Sequence, residues 1–316
     1  MNYPTRIQDK YVVISITVKQ TKNGDDFWLV ELMNKQGSIT GKVWSQALPQ
    51  ATFRVNTVAL IEGSTEVYQG AKSIIISRGH TLEDEQLDHY LPAEGIPTLV
   101  FDIETVGLKF EELDPDQQSY LIEKLENRSE PEEAAQKTGL HPLFGFVTHI
   151  AALSLGKRQG YVFGTGQADI TPENPTYSFS HCANEAKLLS KFWRLVENHQ
   201  RFVTYNGHGF DFPFLAFRSA VNKVRVPIEL KYNQDSFIDL MSKLRPYPAR
   251  SYSLAMVTRA LGIPNPKEEG VSGADVAKLY RSHKHQQIVD YVARDVEATT
   301  QLYGVWKQYL AGKIVV

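Results

Sequence analysis

The sequence predicts two folded parts, a small all-β barrel followed by an α/β domain. Three observations carry this expectation. Short segments with alternating apolar positions fill the chain up to about residue 80, a polar, acidic stretch follows at Leu82–Gly95, and strands alternate with helices from Thr98 onward. The 316 residues exceed one ordinary domain, and a hydrophobic content of 42% suffices to build separate cores. The expected boundaries are a barrel over residues 1–81, a linker over 82–96 and an α/β domain over 97–316.

In the first part, apolar residues alternate through Tyr11–Lys19, Phe27–Met33, Ser38–Trp44 and Thr57–Glu62. Turns fall at Lys22-Asn23-Gly24-Asp25, Asn34-Lys35-Gln36-Gly37 and Gln69-Gly70, where Gly or Asn tolerates positive φ. No helical stretch interrupts these segments, and about five strands of this length suit a small barrel. Phe27, Trp28, Trp44 and Tyr68 either fill that barrel or offer faces on which bases can stack.

The second part opens with a buried strand at Thr98–Ile103, with further strands at Val147–Leu155, Gly160–Phe163 and Arg201–Tyr205. Leu188, Leu189, Phe192 and Val196 give Glu185–Asn198 a helical period; further helices are expected at Asp211–Ala220, Tyr252–Leu261, Ala274–Tyr280 and about His285–Leu310. About forty residues, Leu108–Thr148, separate the first strand from the second, too many for a simple turn. They include the acidic, helix-like stretch Gln117–Glu126, which could cover a site, bind a partner or cap the sheet as a solvated helix.

The formal charge of −2 carries no global signature of nucleic-acid binding. It hides a division, because Met1–Thr81 holds nine Lys/Arg against six Asp/Glu, whereas Glu111–Lys137 holds nine acids against three bases. The single cysteine, Cys182, can form neither an internal disulfide nor a thiolate metal site, so any metal must be held by oxygen or nitrogen. With no long apolar run and a polar start at Met1–Lys10, the expectation is a soluble, intracellular protein.

Three groups of residues carry potential chemistry. Asp102 and Glu104, one residue apart at a strand end, point the same way and repel each other unless a cation lies between them. Asp211 follows the two-glycine turn Tyr205-Asn206-Gly207-His208-Gly209-Phe210 and begins a helix, where an acid can act merely as a cap. Tyr291 and Asp295 stand four apart and share one face of the last helix, with Asp290 rotated away. Each group alone is commonplace; their conjunction in this order is not.

Taken together, Asp102-Ile103-Glu104-Thr105, Asn206-Gly207-His208-Gly209-Phe210-Asp211-Phe212-Pro213 and Tyr291-Val292-Ala293-Arg294-Asp295 resemble the three motifs of the DEDDy 3'-5' exonucleases, including the form seen in proofreading domains of family B DNA polymerases. The stretch Gly270–Val276 ahead of Ile288–Tyr291 is similar to predicted stand-alone relatives of those domains. The resemblance spans about Pro97–Leu310 and implies an RNase H-like fold in which Asp102, Glu104, Asp211 and Asp295 hold two divalent cations, Mg²⁺ or Mn²⁺, while Tyr291 positions the attacking water. It further implies that Asn206 helps to hold substrate and that Phe210 packs against the terminal nucleotide. The sister class would place a histidine five residues before Asp295; Asp290 stands there instead, which favours the tyrosine type.

Val18–Gly24, Trp28–Leu32 and Gly37–Trp44 likewise look like the first hairpins of an OB-fold. The expected partner is a single strand; the resemblance to DNA-proofreading relatives favours DNA over RNA, with a 3' overhang as a variant substrate. An exoribonuclease of the same fold and a non-catalytic single-strand-binding adaptor are the alternatives, and retention of four acids and Tyr291 argues against the latter. No polymerase motif is present, so proofreading would require a separate polymerase, and no repair partner is indicated.

Overall fold

The computed structural model describes residues 5–55, 57–68, 71–85, 87, 90–91, 96–125, 130–228, 236–245, 251–265 and 270–311. The chain divides into two compact units, Met1–Ile96 with Asn233–Ser236, and Pro97–Tyr232 with Phe237–Val316.

Two-residue alternation, interrupted by register shifts between Val13 and Ser15 and between Glu62 and Gly63, builds the first unit. Tyr11 and Val13, Val30 and Leu32, Ala59 and Ile61, and Ile74 and Ile76 all point into one core. They come from β1 (Arg6–Gln20), β2 (Asp26–Asn34), β5 (Val58–Tyr68) and β6 (Ala71–Thr81); β3 (Gly37–Val43) and the two-residue β4 (Ala51–Thr52) complete the sheet. β1 lies between β2 and β5, and a parallel pairing of Thr40–Lys42 with Ser73–Ile75 joins β3 to β6, closing five main strands into a barrel. Closure leaves the central strands no free edge. The expectation of no helix fails at Ser45–Gln50, a 3₁₀ turn holding Pro49 and too short to show a helical period.

The opposite positions of the same strands, Val12, Ile14, Met33 and Val58, are also buried. They are covered by Leu82, Leu87, Tyr90, Leu91 and Ile96. The described residues of the expected linker are thus the lid on the barrel's second apolar surface, and Lys10 adds a 2.6 Å ion pair to Glu85.

In the second unit, six strands run in the order β10-β9-β8-β7-β11-β12. These are β7 (Thr98–Gly107), β8 (Gly145–Ser154), β9 (Gln159–Gly164), β10 (Tyr177–His181), β11 (Arg201–Thr204) and β12 (Phe237–Asp239). β10 and the three-residue β12 are additional to the strands expected from the sequence. β7 is central, antiparallel to β8 and parallel to β11. Its odd-numbered residues Leu99, Phe101 and Ile103 pack beneath α3 (Glu185–Val196) and α4 (Asp211–Val221), while Val100 faces the core built around α8 (His285–Tyr309). Asp102 and Glu104 share the parity of Val100, which turns them toward α8. Three short helices, α5 (Leu240–Lys243), α6 (Leu254–Ala260) and α7 (Gly273–Arg281), complete this side.

The segment between β7 and β8 is more than a solvated helix. α1 (Pro115–Tyr120) is capped reciprocally by Asp114 and Gln117 and gives way to a π turn at Leu121–Leu125; α2 (Pro131–Lys137) follows. Leu113, Leu121, Ala134 and Phe144 form a small core of their own. Its attachment to β7 is intimate, since a side chain at Gly107 would overlap Thr138, and Thr105 donates to the Gly139 carbonyl at 2.6 Å.

Candidate active site

Two of the three expected acid groups meet directly. Asp102 and Glu104 project from β7 and Asp295 from the third turn of α8, with one ligand oxygen of each lying within 4.8 Å of the others. Glu104 and Asp295 are buried and Asp102 is half-buried. Asp211 stands outside this tight trio but close enough to act on it electrostatically. Burial raises the Asp102 carboxyl well above the carboxylate range, and the charges of Asp211, Asp295 and Glu104 reinforce the shift.

Asp211 is the first residue of α4 and does not cap it; Phe210 occupies the cap position without a side-chain hydrogen bond. The Asp211 carboxylate is 2% exposed, and its Oδ1 has no hydrogen-bond partner among the described residues. Burial pushes its pKa up to about 7, backbone N–H groups including that of Ile103 work against the shift, and the charge of Asp239 adds to it. An oxygen buried without a donor is costly in a neutral fold and is what a cation ligand requires.

Tyr291 is 4% exposed and packs among Val106, Val276 and Ile288. Its hydroxyl hydrogen-bonds Asp295, and burial, followed by the charges of Asp295, Glu104 and Asp102, holds the phenol far above its ordinary pKa. It is therefore a neutral donor inside a nest of carboxylates. Asp290 serves elsewhere, accepting from the Glu173 N–H at 2.9 Å and from Gln286 at 2.7 Å.

The strand-to-helix turn is shaped by an acid that sequence reasoning missed. Asn206 takes φ +69°, a left-handed conformation that Asn tolerates, and its carbonyl accepts the N–H groups of Gly209 and Phe210. Asp239, buried at the end of β12, receives the N–H of Asn206 at 2.9 Å and that of His208 at 3.3 Å. The triplet Phe237-Ile238-Asp239 is the only trace of this in the sequence. Phe210 is partly buried against Phe214, 5.3 Å between ring centroids, and presents itself to a cleft beside Glu104.

That cleft has a volume of about 920 Å³ and runs between the β7–β8 insertion and α7. The end of β7 forms its floor.

Residues 151–307 match the RNase_H superfamily. The second unit has an RNase H-like fold. The matched region begins within β8, so it contains Asn206, Asp211, Tyr291 and Asp295 but not Asp102 and Glu104. No curated protein matches the chain. Among solved structures the chain is similar to the family B DNA polymerase of the hyperthermophilic archaeon Pyrobaculum calidifontis, with a TM-score of 0.65 at 12% identity over 95% of this chain and 46% of that one. The chain therefore spans about half the length of that polymerase, and the likeness is one of fold. Among the described residues, no helix is long and apolar enough to cross a membrane.

Proposed function

We propose that the chain is a metal-dependent 3'-5' exonuclease that removes nucleoside 5'-monophosphates from single-stranded DNA. The observation that carries this reading is the convergence of Asp102, Glu104 and Asp295 within 4.8 Å, beside the buried, undonated Oδ1 of Asp211. The RNase H-like fold supports nuclease chemistry, and the three-motif pattern with tyrosine at 291 supports the 3'-5' direction.

The donor set fits divalent cations. All four groups are carboxylates, hard oxygen ligands suited to Mg²⁺ or Mn²⁺, and the charges of Asp211, Asp295 and Glu104 all bear on Asp102, a repulsion that a cation among them would relieve. When bound, two such ions would supply Lewis-acid activation of water and stabilisation of the departing 3'-oxygen. The chain's own groups do the rest. Tyr291, a neutral donor fixed by its packing, orients the attacking water beside Asp295. Phe210 supplies an apolar face for the last base, and Asn206, locked in its turn by Asp239, holds the sugar-phosphate end.

The barrel serves as the strand-holding module. Its closure, with β1 between β2 and β5 and β3 parallel to β6, supports an OB-type reading. Trp28 is committed to the core against Phe53, whereas Phe27 and Trp44 form an aromatic pair 4.8 Å apart with Trp44 exposed, leaving that pair as the base-stacking candidate. The side chain of Tyr68 lies outside the described residues.

The test uses 5'- and 3'-labelled single strands and duplexes of DNA and RNA with Mg²⁺, Mn²⁺ or chelator. Stepwise shortening of 5'-labelled single-stranded DNA, abolished by chelator, is the expected result. Equal degradation of RNA would reassign the substrate, and inertness toward all strands with either metal would overturn the reading.

A further inference from the structure

The β7–β8 insertion is acid-rich as a whole, yet bases outnumber acids in the lining of the cleft it borders. Among the described acids of the insertion, Glu111 lines the cleft and the others, Glu112 and Glu133 included, do not. Both lysines that bracket the insertion, Lys109 and Lys137, line the cleft, and α7 contributes Lys278 and Arg281 from the facing wall. Four cations therefore flank a passage whose acids are Glu111 and the candidate metal ligand Glu104. In a chain with a net charge of −2, such sorting needs a cause.

We propose that this cleft is a phosphate clamp, in which Lys109 and Lys137 on one side and Lys278 on the other grip the backbone of the single strand whose end lies at Glu104. The proposal rests on the nuclease reading and adds a function for the insertion. The floor is built to stay in place, since Arg281 donates to the Gly107 carbonyl at 2.9 Å and Thr105 to the Gly139 carbonyl, so β7 is tied to both walls. The lysines can exchange their partners. Lys137 meets Glu133, and Lys109 meets Glu112, in pairs whose acids are more than half exposed, and contacts of that kind contribute little, so an incoming phosphate competes well. Along α7, Ala274 and Ala277 line the passage with Lys278 and Arg281, and small side chains there leave room for a backbone.

The test compares binding of oligothymidylates of about two to about twelve nucleotides to an Asp211→Ala parent and to the same protein carrying Lys109→Ala, Lys137→Ala and Lys278→Ala. Removing three phosphate contacts should flatten the slope of log affinity against log salt by about 2, and weaken the longer strands roughly tenfold or more at low salt while scarcely touching the dinucleotide. Lys→Arg at the same three positions should restore the slope, and thermal melts verify that every variant is folded. A triple alanine variant with the parent's slope and length dependence overturns the clamp. Hydrolysis of the p-nitrophenyl ester of thymidine 5'-phosphate by the unsubstituted chain separates the two readings. Inertness toward that ester and toward strands, beside a slope that falls as expected, sinks the nuclease reading and leaves the clamp standing.

Discussion

The carboxylate of Asp239 accepts the backbone N–H of Asn206 at 2.9 Å and, through the same Oδ1, that of Met241 at 3.0 Å, so one buried acid joins the end of β12 to the turn that delivers Asp211. Asp239→Ala strands these donors in a water-poor site, which costs about 1–3 kcal/mol. We expect a lower melting temperature together with a loss of turnover. Asp239→Asn keeps an acceptor and should recover most of the stability. Melts and steady-state kinetics of the two variants check this, and an alanine variant with parental turnover would show that the turn holds its shape without Asp239.

Asp102→Ala and Asp211→Ala should each abolish hydrolysis while the protein remains folded, because these side chains face the acid cluster and not an apolar core. Excess Mn²⁺ should rescue little. Gel assays of purified variants with matching circular dichroism test the expectation; parental rates in either would remove that residue from the site.

In metal-free protein the raised pKa of Asp211 gives stability a definite slope. The folded state holds this proton up to about pH 7, whereas an ordinary aspartate releases it near 3.8, so between those values the folded chain binds more protons than the unfolded one. Stability should therefore fall as pH rises from about 4 to about 7, with the raised Asp102 acting in the same direction. Divalent cations, favouring the ionised form, should reverse the trend near neutrality. Melting temperatures across that range, with chelator or Mg²⁺, measure it, and Asp211→Asn should flatten the metal-free profile.

Much of this arrangement was legible in the sequence. β7 and β8 are continuous apolar runs buried on both faces, and α8 carries a long helical period, so their existence and the shared parity of Asp102 and Glu104 could be read directly. Asp211 was harder, because an acid at the start of a helix is ordinarily a cap and its identity as a buried, undonated carboxylate depends on packing. Asp239 and the cleft lysines left almost no trace. One ends a three-residue strand, and the others gain meaning only when Lys109, Lys137 and Lys278, distant in sequence, are brought around one passage. The stretch read as a linker misled for a related reason, since Leu87, Tyr90 and Leu91 are too sparse to announce a core but suffice to cover one.

Removing the barrel should leave hydrolysis of short strands intact and weaken capture of long ones, since the two units have separate cores. The cut belongs at Pro97. A protein beginning at Leu82 would retain Leu87 and Leu91 stripped of their apolar partners and should aggregate more readily. Strand affinity over a salt series reads the first effect and light scattering the second; unchanged affinity for long strands would take the barrel out of substrate binding.

Tyr291→Phe should lower kcat far more than it raises KM, because the ring keeps its packing against Val106 and Ile288 while the donor to Asp295 and to water is lost. Asp295→Ala should damage metal affinity as well. Kinetics beside a metal titration distinguish them, and an unchanged kcat in the phenylalanine variant would leave Tyr291 with a packing role alone.

The acids of the cluster come from β7, near the start of the second unit, and from α8, near its end. During synthesis, Asp102, Glu104 and Asp211 emerge long before Asp295 exists, and a ribosome-bound chain lacking α8 has neither the last acid of the cluster nor Tyr291. Such a site is assembled by a contact between distant parts of the chain and is among the later events of folding. A nascent chain would thus be unable to cut the nucleic acids around it until the domain had closed.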